Sequence, residues 1–117
     1  MRNINISQGE HYHLFGRGND KQNIFLDDND YVRFLFLILH FQSPKTFSNI
    51  RRHTKHYVQH QVFNIGEEVL NEVVFKRFVE LVAFSLMPNH YHLLIRVNKK
   101  NGAEKYMQRI LNSFVIS

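Results

Sequence analysis

With 117 residues, 44% of them hydrophobic and eleven of them phenylalanine, the chain is about one domain long and can bury a core, which excludes global disorder. The absence of cysteine excludes a disulfide framework and a thiolate metal site, and the longest apolar run, Phe34 to Leu39, is far too short to span a bilayer. A net charge of +5 and a pI near 9.7 favour a polyanionic partner over an acidic one.

The cations are clustered. Lys45 to His60 holds Lys45, Arg51, Arg52 and Lys55 with no acidic residue, and Arg96 to Arg109 holds five basic residues against Glu104 alone. Such clusters suit nucleic acid, or form two solvated basic faces. The N-terminus, "MRNINISQGEHYH", lacks the apolar run of a signal peptide, so a soluble cytoplasmic protein with no membrane partner is expected.

In chain order, residues 1–9 read as a polar tail. "HYHLF" alternates as a short strand, with His11, His13 and Phe15 on one face and Tyr12 and Leu14 on the other. "GRGNDKQ" is a loop. Asp27 or Asp28 caps a helix running to about His40, whose apolar stripe is Tyr31, Phe34, Leu35, Ile38 and Leu39. Residues 42–64 begin with turn signals and have a helix-compatible middle, in which His53, His56 and His60 share one helical face, a basic surface rather than a metal site because no carboxylate completes the set. "GEEVLNEVVFKRF" is another short helix or a loop. "FVELVAFSLM" and "HYHLLIRV" are strands paired antiparallel across the break at Pro88 and Asn89. "AEKYMQRILNSFV" is a helix with Tyr106 or Met107, Ile110, Leu111 and Phe114 on its apolar side. The order predicts an α+β sandwich, with helices on one face of a small antiparallel sheet.

The stretch "MPNHYHLLI" carries the chemistry. Side chains alternate along a strand, so His90, His92, Leu94 and Arg96 share one face, and Tyr91, Leu93, Ile95 and Val97 form the core face. Histidines at i and i+2 stand roughly 7 Å apart along the strand, close enough to converge on one cation. Two ligands leave positions vacant, which is a catalytic rather than a structural arrangement, and a vacant position can take a phosphate oxygen. The other reading of the spacing is a wet sheet face with two uncoordinated imidazoles.

"MPNHYHLLI" resembles the His–hydrophobic–His signature of single-tyrosine HUH transposases, and most closely the insertion-sequence type with its REP-associated tyrosine transposase relatives. "YHLFGRGNDKQNIFLDDNDYVRFL" resembles the opening strand, Arg–Gly loop and first helix of that family. "LVAFSLMPNHYHLLI" resembles its central hairpin, and "KYMQRILNSF" the start of the next helix. The likeness covers most of residues 11–41 and 79–114, with residues 42–75 read as a variable insertion.

The resemblance implies a ferredoxin-like antiparallel sheet with helices packed on one face. It implies magnesium or manganese at His90 and His92. It also implies cleavage of single-stranded or hairpin DNA through a covalent 5′-phosphotyrosine link, followed by strand transfer in the cytoplasm at the nucleoid. In the family the nucleophilic tyrosine lies on a later helix, one turn before a third ligand. No such segment occurs here, so a single HUH domain over residues 1–117, C-terminally incomplete, is expected.

Tyr106 is the nearest tyrosine on a helix after the pair, but its spacing with Ile110 and Phe114 favours packing. Arg17 and Lys21, in the loop after the first strand, and Arg96, on the face of the histidines, are candidate DNA contacts, as are Arg51, Arg52 and Lys55. Two further readings stand beside the transposase. One is a catalytically inactive DNA-binding remnant. The other is a nuclease using an activated water, which needs a carboxylate such as Glu80 near His90. Dimerisation is open: an exposed sheet edge or helix stripe would favour a homodimer, while some relatives act alone.

Overall fold

The computed structural model describes residues 8–116. Of the polar tail expected over residues 1–9, residues 1–7 lie outside the described range. The Gly9 amide already donates to the Val97 carbonyl (2.6 Å) and the Val97 amide to the Glu10 carbonyl (3.0 Å), so the chain joins the sheet there.

The elements are β1 (His11–Arg17), a 3-10 turn (Asn19–Lys21), α1 (Asp28–His40), α2 (Ile50–His60), α3 (Glu67–Phe75), β2 (Val79–Met87), β3 (His90–Val97) and α4 (Gly102–Ile116). The strands form one antiparallel sheet in the order β1-β3-β2, so the histidine strand is central and is hydrogen-bonded on both sides. The fold is α+β, as expected; setting α2 and α3 aside, the run β-α-β-β-α is the first five elements of the β-α-β-β-α-β ferredoxin-like order. No helix among the described residues is long and apolar enough to cross a membrane.

Tyr91, Leu93, Ile95 and Val97 are buried against Phe34 and Ile38 of α1 and Ala103, Tyr106 and Ile110 of α4, in one cluster with Phe25, Phe78 and Val79. Each large apolar side chain taken from water here contributes about 1.5–3 kcal/mol. The alternation of β3 therefore decides which face of the sheet the helices cover, and leaves the His90–His92 face open.

α1 starts where Asp27 caps it: its carboxylate accepts from the Asp30 amide at 3.0 Å, while the Asp30 carboxylate accepts from the Leu26 amide at 2.9 Å. Of the stripe expected on α1, Phe34 and Ile38 are buried and Tyr31, Leu35 and Leu39 are half-buried. Phe36, Leu37 and His40 are buried as well, because α2 packs on the side of α1 turned away from the sheet. The segment read as an insertion folds into this layer. Phe47, Ile50, Phe63 and Ile65 pack against the core, and Phe36 meets Phe47 and Phe63 edge-on. His53 stacks on Phe36 at 5.1 Å between ring centroids, so the three histidines of α2 do not share a solvent face: His53 turns inward, and His56 and His60 pair outside. On α4, Leu111 is exposed rather than apolar-side, because α4 is covered along Ala103, Tyr106 and Ile110.

One feature of the sheet sets the surroundings of the site. Leu81 faces Ile95 and Ala83 faces Leu94, so Val82 is a bulge. Beyond it Phe84 turns to the core side, while Ser85 and Met87 turn to the open face opposite His92 and His90. Without the extra residue Phe84 would stand beside His92.

Candidate functional site: the open face of the sheet

Three strands contribute to the face that no helix covers among the described residues. β3 presents His90, His92, Leu94 and Arg96. Across from them β1 presents Arg17, Phe15, His13 and His11 in that order, and β2 presents Met87, Ser85, Ala83 and Glu80. Glu80 is its one carboxylate among the described residues, so the face is cationic. Phe15 is 71% exposed in the middle of it, 6.4 Å from the His92 ring centroid.

The loop after β1 is docked on the turn that precedes β3. The Gly18 amide donates to the Asn89 carbonyl (2.9 Å), and the Ile24 and Phe25 amides donate to the Pro88 carbonyl (2.8 and 3.1 Å). A Cβ on Gly18 would run into the Gln22 carbonyl, so the loop closes this tightly only with glycine there. Gly16 faces Tyr91 across the ladder, and a Cβ at Gly16 would overlap the tyrosine ring. Both glycines of "GRG" thus bring Arg17 opposite His90.

The two imidazoles differ in their partners. His90 Nδ1 lies 2.7 Å from Asn89 Oδ1; an amide oxygen only accepts, so Nδ1 carries the proton and donates, and Nε2 keeps its lone pair. His92 Nδ1 shares a hydrogen bond of 2.8 Å with Nε2 of His13, whose ring lies beside it edge to edge, with centroids 4.9 Å apart and planes 16° from parallel. The His90 and His92 rings are 5.2 Å apart and nearly perpendicular, at 85°. Both rings use Nδ1 internally and have Nε2 left, a donor set that suits one divalent cation with vacant positions. His13 spends its Nε2 on His92 and is no third ligand here. Among the described residues no group of three or more His, Asp or Glu side chains is arranged to hold a metal ion.

The structure separates the other expected contacts. Arg17 joins the pair, and exposed Lys21 lies in the docked loop with φ +62°. Arg96 is on the same face but six residues from His90, roughly 20 Å along the strand, and it pairs with Glu80 at 3.4 Å. Glu80 also pairs with Arg77 at 3.2 Å and stands opposite Arg96, so it is not the carboxylate near His90 that the activated-water reading needs. Arg51, Arg52 and Lys55 are exposed on α2, the helix layered on α1, and are not part of this face. His13, Phe15 and Asn89 were not singled out from sequence. The shared face of His13 and Phe15 was legible in the alternation of β1, but the cross-strand register was not.

No tyrosine stands on the open face. Tyr12 and Tyr91 alternate to the core face, Tyr31 stacks on Phe25 at 4.7 Å, and Tyr57 packs on Phe63 at 4.5 Å. Tyr106 is fully buried and donates to the Ile38 carbonyl at 2.6 Å; burial pushes its phenol pKa far above the usual range.

A family model described as "Transposase IS200 like" matches residues 48–114, which takes in α2, α3, the β2–β3 hairpin and α4 up to Phe114. The match runs through most of the segment read as an insertion and does not reach β1 or α1. No curated protein and no solved structure matches the chain.

Proposed function

From the premise that the chain belongs to the IS200-like transposase family, with DNA as its partner, we propose that the open face of the sheet is where it takes single-stranded or hairpin DNA. The observation that carries this reading is the assembly of His90, His92, Arg17 and exposed Phe15 on one uncovered, cationic face of the central strand and its neighbour.

Arg17 is placed to pair with a phosphate beside His90, and its planar fork suits two phosphate oxygens at once. Phe15 offers an exposed ring on which a base freed from its stack can lie. His90 and His92 would hold magnesium or manganese through their Nε2 atoms, and Asn89 and His13 hold the two rings. When bound, the cation polarises a phosphodiester and orients it for in-line attack. Ser85 and Met87 leave the other side of the pair without a bulky ring, so a backbone can approach from β2.

The placement of the tyrosines favours a second reading for this chain acting by itself: it binds DNA at this face without attaching to it. The phenol of Tyr106 is buried, paired and on the far side of the sheet from the histidines.

The test is fluorescence anisotropy with a labelled hairpin carrying a single-stranded flank, with and without manganese, followed by a denaturing gel of the same samples. Hairpin binding above that of a plain duplex, stronger with manganese and weaker in His90→Ala/His92→Ala, is the expected result. A covalent protein–DNA band would assign the full transposase reaction to this chain; binding without the band would assign the binder. Equal affinity for plain duplex, or no effect of the double variant, would contradict the reading.

A further inference from the structure

In the first strand, 79 residues before His92, stands an imidazole that neither the family signature nor the expected ligand set accounts for. His13 Nε2 is 2.8 Å from His92 Nδ1, and the two rings lie edge to edge with planes 16° from parallel, so the hydrogen bond holds the rotation of the His92 ring. Phe15 flanks the same pair, 5.6 Å from His13 and 6.4 Å from His92. On the neighbouring ligand the matching place is taken by Asn89, 2.7 Å from His90 Nδ1.

A histidine that binds a cation through Nε2 needs its Nδ1 proton held by an acceptor, and such an acceptor fixes tautomer and ring orientation together. Resting on the metal reading above, we propose that His13 is the positioning residue of His92: it accepts the His92 Nδ1 proton on its own Nε2, keeps its own proton on Nδ1, and so presents the His92 Nε2 lone pair to a divalent cation. Asn89 does the same for His90. The two supports come from different places, a partner strand and a turn, so they are separable by substitution. A ring whose Nε2 is hydrogen-bonded to His92 is also kept out of the coordination sphere, and the site keeps vacant positions for a substrate oxygen.

The experiment uses manganese as the probe and the whole chain as the protein. Manganese affinity is measured by electron paramagnetic resonance for wild type, His13→Ala, His13→Gln and Asn89→Ala, with thermal melts alongside. In parallel, ring-nitrogen NMR shifts of His92 are recorded without metal. The expected result is a 10- to 100-fold weaker manganese affinity in His13→Ala at an unchanged melting temperature. Recovery of most of that loss is expected in His13→Gln, whose amide can still accept. Without metal, His92 is expected to carry its proton on Nδ1 in wild type and to shift toward Nε2–H in His13→Ala.

Unchanged affinity and an unchanged His92 tautomer in His13→Ala would overturn the proposal. So would an Nε2–H His92 in wild type. If wild type binds no manganese, the metal reading falls, while the His92 tautomer still decides whether His13 holds the ring.

Discussion

The amide of Gly18 donates to the carbonyl of Asn89 at 2.9 Å, so the loop that ends β1 is fastened to the turn that starts the histidine strand. The residue before the donor is Arg17 and the residue after the acceptor is His90, and those two face each other across the ladder. One backbone hydrogen bond thus joins the phosphate-binding candidate to the metal-binding candidate.

Gly18→Ala places a Cβ against the Gln22 carbonyl and forces the loop off the turn. The expected cost is about 1–3 kcal/mol in urea unfolding, the range for overpacking a tight site. Hairpin affinity falls further than that of a surface variant of equal stability. Unfolding curves and anisotropy on the same preparation check both parts.

Arg17→Ala is expected to weaken hairpin binding across sequences and to lower the slope of log affinity against log salt by about 1, the signature of one lost phosphate contact. Titrations at several salt concentrations measure it. An unchanged slope would place Arg17 outside the interface.

Tyr106→Phe removes the hydroxyl that donates to Ile38 and keeps the ring in the core. Stability should drop by about 1 kcal/mol, the usual worth of such a bond, with no change in DNA binding or in any covalent product. Loss of a covalent band in this variant would make Tyr106 the nucleophile after all.

His40 is buried among Phe36, Phe47 and Phe63, and burial, opposed by the Phe36 carbonyl and aided by nearby His53, holds its pKa below the ordinary 6.5. The unfolded chain therefore binds this proton more readily than the folded one. The stability it contributes is complete above the unfolded value near 6.5 and is lost as pH falls from there through the folded pKa. Melting temperature should fall as pH drops below about 6.5, and less steeply in His40→Gln. His53, lowered for the same main reason, leaves a residual slope.

Arg109 of α4 clamps the segment after α1: it donates to the carbonyls of Ser43 and Lys45, and lies over the Phe41 ring at 4.1 Å. Arg109→Lys loses the fork and the stacking and should destabilise by about 2–3 kcal/mol, in the range of charged hydrogen bonds. Chemical unfolding measures it.

Much of the fold can be read from patterns that are local. β3 is legible because its core residues alternate without a break, and α1 because an aspartate caps it just before its apolar run. What depends on partners is not legible. Phe36 and Leu37 look like the wet side of α1 until α2 is laid over them. The bulge at Val82 is silent, since every residue from Val79 to Met87 suits a strand. At the site, His90 and His92 are visible as a pair, and Arg17 as a loop cation. The support of His92 by His13 depends on the β1–β3 register, which no spacing within either strand encodes. The cations of α2 are as dense in sequence as any in the chain, yet the fold sets them on another layer.

The proposed function requires that DNA meets the open sheet face. The most direct measurement is a backbone-amide NMR titration with a hairpin oligonucleotide. The largest shifts are expected on His13 to Lys21 and on Asn89 to His92, with α2 little changed. Shifts centred on Arg51 to Lys55, with β1 and β3 unmoved, would contradict it and place the DNA on the helical layer.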